Sequence, residues 1–245
     1  MNIALVGVAK NEDHYIQEWI DYHTKLGFNH IFIYTNFWEY TNSQDHVTVL
    51  KVNINGSVAA TTHSYNDFKR NKSEGYDWVA FFDLDEFLCL NQHNNVKDFL
   101  SNYNDCNAIG INWAMFGNGN QDKVINNNYN VLSRFKTRAI ESFEPCKNIK
   151  TICRLPCNRT QYSHHVDDAW YNLNKEIRYG PFNEPVNYDI AQLNHYFTKS
   201  NEEFRTKCYR GYGIGYRRRK FKHYIHCLGA NDIIDTKAYD FFQRT

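Results

Sequence analysis

The chain has 245 residues, 42% of them hydrophobic and 16% aromatic, with a formal net charge of +1. That apolar content can fill one large core or two modest ones, and the near-zero charge gives no bulk attraction to nucleic acid, which is not expected as a partner. Residues 1–8 carry no basic segment followed by a long apolar stretch, and no segment approaches a membrane span, so the expectation for a bacterial source is a cytoplasmic protein.

The first half alternates strand and helix signals. Ile3–Val8 is an apolar strand; Asn11 follows in the place of a helix N-cap, with Glu12 and Asp13 in the first turn. Ile16, Trp19, Ile20, His23 and Leu26 recur at helical spacing and Gly27 stops the helix. Strands are expected at His30–Tyr34 and His46–Val52, then a polar helix between Ser57 and Ser73 carrying Val58, Tyr65 and Phe68. A buried strand, Trp78–Phe82, ends in Asp83, Asp85 and Glu86. Val96, Phe99, Leu100 and Tyr103 mark a further helix and Ala108–Trp113 a further strand. This rhythm is that of an α/β fold with a mostly parallel sheet flanked by helices, whose ligands bind outside the carboxyl ends of the strands.

The second half is less regular. Residues 117–130 hold six asparagines with Gly117 and Gly119 and read as a mobile loop. Strands are expected at Val131–Phe135, Ile149–Arg154 and Ile190–Phe197, the last containing Asn194-His195-Tyr196. Ser200 then caps a helix with Glu202 and Glu203 in its first turn. With no internal repeat or composition break, 1–245 is expected to be one domain, read in three parts: 1–115, 116–211 and a basic and aromatic extension, 212–245. Seven cysteines without C-x-x-C spacing read as reduced, mostly buried thiols, with Cys153 and Cys157 the closest pair.

The carboxylate cluster carries the chemistry. A buried strand does not end in like charges unless something neutralises them, and a divalent cation does so most directly. Mg²⁺ or Mn²⁺ shares carboxylate oxygens with substrate phosphates, so D-x-D at a strand end points to a metal bound with a nucleotide diphosphate; a solvated acidic turn is the other reading.

The order of motifs resembles the GT-A glycosyltransferases, the family two group and especially the branch related to family ninety-two. The matching segments are Lys10-Asn11-Glu12, Glu18-Trp19-Ile20-Asp21-Tyr22-His23, Tyr34-Thr35-Asn36 and Asp83-Leu84-Asp85-Glu86-Phe87. They continue with Trp113, Phe116 and Gly117, then Lys150-Thr151-Ile152-Cys153-Arg154, Asn194-His195-Tyr196 with Lys199-Ser200, and Lys207, Arg210 and Gly211. Thr35 stands where the family usually has an acidic residue.

The resemblance implies the GT-A fold and metal-dependent, inverting transfer of a hexose, galactose or glucose, from a UDP-sugar to a glycan or lipid-linked glycan acceptor in surface polysaccharide or lipopolysaccharide synthesis. Mn²⁺ or Mg²⁺ would be held by Asp83, Asp85 and His195, with His164 or His165 as the rival to His195. Lys10, Asn11, Glu12, Asn36 and Asp83 would hold base and ribose, while Lys199, Lys207 and Arg210 would neutralise the leaving diphosphate. Glu86 would orient the loop or face the sugar. Asp168 is chosen as the catalytic base over Asp167 and Glu184. The run Arg217–Lys220 is a candidate for peripheral contact with the inner face of the cell membrane, near a lipid-linked acceptor. Two other readings use the same residues: a nucleotidyltransferase or phosphohydrolase, disfavoured by the lack of a phosphate-binding glycine loop after the first strand, and a non-catalytic glycan-binding relative.

Overall fold

Apolar β1 (Ile3–Ala9) lies at the middle of the parallel half of a ten-stranded sheet. The computed structural model describes residues 1–36, 38–52, 54, 60–210 and 224–244, the side chains of Asn36 and Arg210 excepted. Helix α1 (Ile16–Leu26) buries Ile16, Trp19, Ile20, Tyr22, His23 and Leu26 at the expected spacing. It ends where Gly27 turns left-handed at φ 102° and bonds back to the last turn. The helix begins later than expected: Asn11 is not its cap but sits at φ 53°, a conformation asparagine tolerates, and a turn closing on the Glu12 carbonyl separates it from Ile16.

Strands β2 (His30–Asn36) and β3 (Val47–Val52) extend the parallel half beyond β1, and β4 (Trp78–Phe81) flanks β1 on its other side. Helix α2 is described over Ala60–Asn71, so the expected Val58 lies outside the described residues. After β4 the chain makes a turn through Asp83 and Asp85 and enters β5 (Glu86–Leu90), a strand the sequence reading did not separate from its predecessor. Helix α3 (Val96–Ser101) is capped by the Asn95 side chain at 2.8 Å, and β6 (Ala108–Met115) follows.

The expected strand at Val131–Phe135 is instead a short helix, α4 (Val131–Arg134). The Glu18 carboxylate of α1 accepts the N–H groups of Val131 at 2.5 Å and Leu132 at 3.2 Å, so a distant side chain supplies the N-terminal cap and overrides local strand preference. The asparagine-rich loop before it is laced to its surroundings, with Asn118 on Asn201 at 2.9 Å and Gln121 on the Arg134 carbonyl at 2.9 Å.

After β7 (Thr137–Arg138) come β8 (Ile149–Arg154), β9 (Trp170–Tyr171), β10 (Ile177–Arg178), β11 (Ala191–His195), α5 (Asn201–Arg210), β12 (Ile233–Ile234) and α6 (Lys237–Gln243). The sheet order is β10-β9-β6-β8-β4-β1-β2-β3. Strand β8 lies antiparallel between β4 and β6, while β11 runs parallel to β6 and antiparallel to β5. One core layer gathers Trp19, Tyr22, Phe82, Phe87 and Phe99, and another gathers Tyr65, Phe68, Phe81 and Trp170. Among the described residues no helix is long and apolar enough to cross a membrane.

Gly110 in β6 faces the fully buried Trp170 ring; a Cβ there would fall 2.3 Å from ring carbon Cζ3. Gly110→Ala is therefore expected to destabilise the fold by about 1–3 kcal/mol through overpacking, read as a lower urea midpoint at unchanged m-value.

Candidate active site

Three stretches far apart in sequence meet beyond the carboxyl end of β4. The turn after β4 supplies Asp83 and Asp85, β8 supplies Lys150, and β11 with the following segment supplies His195, Lys199 and Lys207. Strand register does this. Ala80 pairs with Ile152, so the antiparallel β8 passes Lys150 alongside the exit of β4. His195 pairs with Glu86 of β5 on one side and Met115 of β6 on the other. A capping box then starts α5: the Ser200 backbone N–H donates to Glu203 at 3.0 Å, and Glu203 N–H donates back to the Ser200 hydroxyl at 3.3 Å. This helix carries Lys207 onto the Asp85 carboxylate, where its ammonium also donates to the Phe197 carbonyl at 2.9 Å.

The charges are arranged in two groups. In the first, the fully buried Lys150 lies 2.9 Å from Asp83 Oδ2 and 3.6 Å from Glu86 Oε2. Burial opposes the Asp83 carboxylate, but Lys150 outweighs it and holds the pKa below the usual carboxylate range. Glu86 is also fully buried; burial, with Asp83 and Asp85 close by, pushes its pKa well up. Glu86 Oε2 accepts the Asp83 backbone N–H at 2.8 Å, fixing the turn. In the second group, burial again opposes ionisation, but Lys207 and then His195 and Lys199 hold Asp85 well below its ordinary range. His195 Nε2 stands 3.6 Å from Asp85 Oδ1, with its ring edge-on to Trp113 at 4.3 Å; burial lowers its pKa and favours neutral imidazole. His164 packs on the other side of Trp113 at 5.0 Å, and burial together with Lys150 lowers it to about 4.

Several buried polar atoms here have no partner within the protein: Glu86 Oε1, Trp113 Nε1, His164 Nδ1 and His195 Nδ1. Such atoms are costly unless water or a ligand completes them. A hard divalent cation asks for carboxylate oxygens and deprotonated imidazole, and Asp83, Asp85 and His195 offer that donor chemistry. Among the described residues no three His, Cys, Asp or Glu side chains already stand as a metal-holding group. Two carboxylates nonetheless suit a cation that arrives with substrate phosphates rather than one held in an all-protein cage.

The other expected residues fall elsewhere. Lys10, Asn11 and Glu12 follow β1 at the same edge of the sheet. Asn36 closes β2 and its side chain lies outside the described set, as do Arg217–Lys220. Lys199 is buried at φ 54°, 4.2 Å over the Tyr15 ring, and its charge acts on both Asp85 and Glu18. Asp168 is exposed, at φ 95°, and pairs with Arg159 at 3.5 Å. Glu184 is exposed and pairs with Lys147 at 3.0 Å. Glu86, expected to orient the loop or face the sugar, is fully buried, and its Oε2 accepts the Asp83 backbone N–H. The sequence reading gave no role to Lys150 or Trp113. The signal for Lys150 was present: a lysine inside the apolar strand Ile149–Cys153 requires a buried anion.

A mixed α/β sheet whose strand ends gather ionised carboxylates, three lysines and neutral imidazoles defines an α/β protein with a charged cluster at the edge where such sheets bind ligands. The chain belongs to glycosyltransferase family 92, whose family model matches residues 37–224. It is 28% identical over 120 residues to a family 92 protein of Oryza sativa subsp. japonica, covering 44% of this chain and 20% of that one. It is 25% identical over 226 residues to a family 92 protein of Ricinus communis, covering 85% of this chain and 37% of that one. A third, from Arabidopsis thaliana, is 27% identical over 114 residues, covering 41% and 20%. The chain thus spans between a fifth and little more than a third of the length of these curated relatives.

Two predictions follow from the electrostatics. Lys150→Met leaves the Asp83 carboxylate without its buried cation and is expected to cost about 1–3 kcal/mol in urea unfolding; adding Asp83→Asn recovers part of the loss. Burial raises Glu18 from an ordinary 4.5 to about 7. The folded state then holds a proton that the unfolded chain releases, so this contribution is full below pH 4.5 and is lost as pH rises through about 7. His23, lowered by burial to about 3, and His164, lowered to about 4, act in the opposite direction over much of that window. The difference between the parent and Glu18→Gln isolates the effect: the parent is expected to lose about 3 kcal/mol relative to the variant between pH 4.5 and 8.

Proposed function

We propose that this chain is a GT-A-type transferase moving a hexose, galactose or glucose, from a UDP-sugar with inversion onto a glycan acceptor of a surface polysaccharide or lipopolysaccharide, with Mn²⁺ or Mg²⁺ bound beside the donor diphosphate. Family membership supports glycosyl transfer. The observation that carries the donor assignment is the convergence of Asp83, Asp85, His195, Lys150 and Lys207, from three separated stretches, at the ligand-binding edge of the sheet.

Departure of UDP leaves negative charge on the diphosphate, and groups preorganised toward that charge lower the barrier. Asp83, Asp85 and His195 would hold the cation, which neutralises developing phosphate charge when bound. Lys150 and Glu86 fix the Asp83 turn, while Lys207 and Lys199 lie where a diphosphate would need cationic partners. Lys10, Asn11 and Glu12, with Asn36, flank the same edge and would take base and ribose. Asp168, paired with Arg159, would serve as the base that deprotonates the acceptor.

The test is a screen of nucleotide sugars with Mn²⁺ or Mg²⁺ for release of free UDP, followed by Asp85→Asn. Turnover of a UDP-hexose is expected, with at least a ~100-fold loss in the variant, in line with removal of one group stabilising transition-state charge. The proposal fails if no nucleotide sugar is bound or turned over, or if Asp85→Asn matches the parent. Release of pyrophosphate or phosphate instead of UDP would point to nucleotidyl transfer or phosphohydrolysis.

A further inference from the structure

Behind α2, on the side of the sheet that carries Phe68 and Trp170, a cavity of about 570 Å³ is lined by Thr62, His63, Asn66, Lys69, Arg70 and the segment 157–160. That lining holds three cations, Lys69, Arg70 and Arg159, and no carboxylate; Arg159 pairs with Asp168 at 3.5 Å, so Lys69 and Arg70 give the pocket its positive charge. The wall is firmly built. Asn66 exchanges two backbone hydrogen bonds of 2.9 Å with Gln161, and Lys69 donates to the Arg159 carbonyl. Into this basic cavity projects Cys157, the one cysteine of the seven that is not buried.

Cys157 is not alone. It packs against the core layer that contains Cys153, fully buried near the end of β8, whose thiol donates to Gln161 Oε1 at 3.5 Å. The contact with Cys153 and the charge of Lys69 favour the Cys157 thiolate, lowering it to about 5, while Cys153 is pushed well up by the same contact and by burial. One sulfur is a half-buried nucleophile lining a cationic pocket; its neighbour in the chain is a fully buried, protonated thiol. This is the division of labour between attacking and resolving cysteines.

We propose that Cys157 and Cys153 form a thiol–disulfide exchange site whose basic pocket selects small anionic disulfides. Cys157 thiolate attacks one sulfur of the incoming disulfide, forming a mixed disulfide and releasing the first small thiolate. Cys153 then attacks Cys157 sulfur, and its proton leaves with the second small thiol. Two electrons pass from the protein dithiol to the incoming disulfide, which is the oxidant. The two cysteines are not among the residues assigned to glycosyl transfer; the one link is Arg159, which pairs with Asp168 at 3.5 Å, and the test substitutes neither of them.

The experiment uses the parent chain with glutathione disulfide, which is anionic, and cystamine, which is cationic, at pH 5.5, read by intact mass and peptide mapping. At that pH an ordinary thiol is almost wholly protonated. The gain in thiolate outweighs the lower nucleophilicity, so Cys157 is expected to react roughly 20-fold faster than a free thiol. The parent should proceed to a Cys153–Cys157 bridge, and Cys153→Ser should stop at a mixed disulfide on Cys157. Glutathione disulfide should react faster than cystamine, an order that Lys69→Met with Arg70→Met should reduce or reverse. The proposal is overturned if Cys157 reacts no faster than a free thiol, if the adduct maps to another cysteine, or if the parent mixed disulfide persists unbridged. Equal or faster reaction with cystamine overturns the selection of anions.

Discussion

The ammonium of Lys150 lies with no exposed surface between Asp83 and Glu86, and the geometry of the ligand-binding edge depends on it. An isolated buried cation costs several kcal/mol even after relaxation, so a lysine at the centre of the sheet is stable only with an anion held against it. The antiparallel course of β8 brings that lysine to the exit of β4. Glu86 then closes the turn by accepting the Asp83 N–H. The two aspartates therefore project from a turn fixed by ionic and backbone contacts rather than from a mobile acidic loop.

The resulting charge balance is nearly neutral. Lys150 offsets Asp83, Lys207 offsets Asp85, and burial favours neutral Glu86, His195 and His164. The second pair is assembled from the far end of the sequence: β11 inserts between β5 and β6, placing His195 opposite Glu86, and the capping box at Ser200 starts the helix that returns Lys207 to Asp85. A single-residue register slip in β11 would turn His195 to the opposite face and remove it from Asp85.

Much of this architecture was legible because the governing signals were local. The apolar run of β1, the 3.6-residue spacing and terminal glycine of α1, and the capping box of α5 each specify their element from neighbouring residues. The exceptions involve distant partners. Val131–Arg134 carries strand-like residues but forms a helix because Glu18 caps it from α1. Strand β5 was not anticipated from the sequence because its identity depends on pairing with β11, about a hundred residues later. Within the cleft, the aspartates and His195 could be named from motif order, whereas the buried ion partner in β8 emerged only once strand order placed Lys150 beside β4.

Under the proposed function, the balance of the cluster constrains how it would receive a diphosphate. Among the described residues Lys199 is the one cation in excess of the two ion pairs, so most of the affinity would come from re-pairing charges already present. Lys150 is poorly suited to that exchange, because leaving Asp83 would strand its charge inside the sheet. Lys207 differs: it lies on α5 at the edge of the cleft, its side chain is 11% exposed, and it holds Asp85 through one ammonium. A cation arriving with the diphosphate would replace Lys207 as the counter-charge on Asp85, and the displaced ammonium would be left beside the phosphates. If the proposed donor binds here, Lys150 would be the permanent counter-ion that keeps the turn folded, and Lys207 a resting counter-ion that would be exchanged on binding. The two lysines differ less in their distance to carboxylate than in what each leaves behind when it moves.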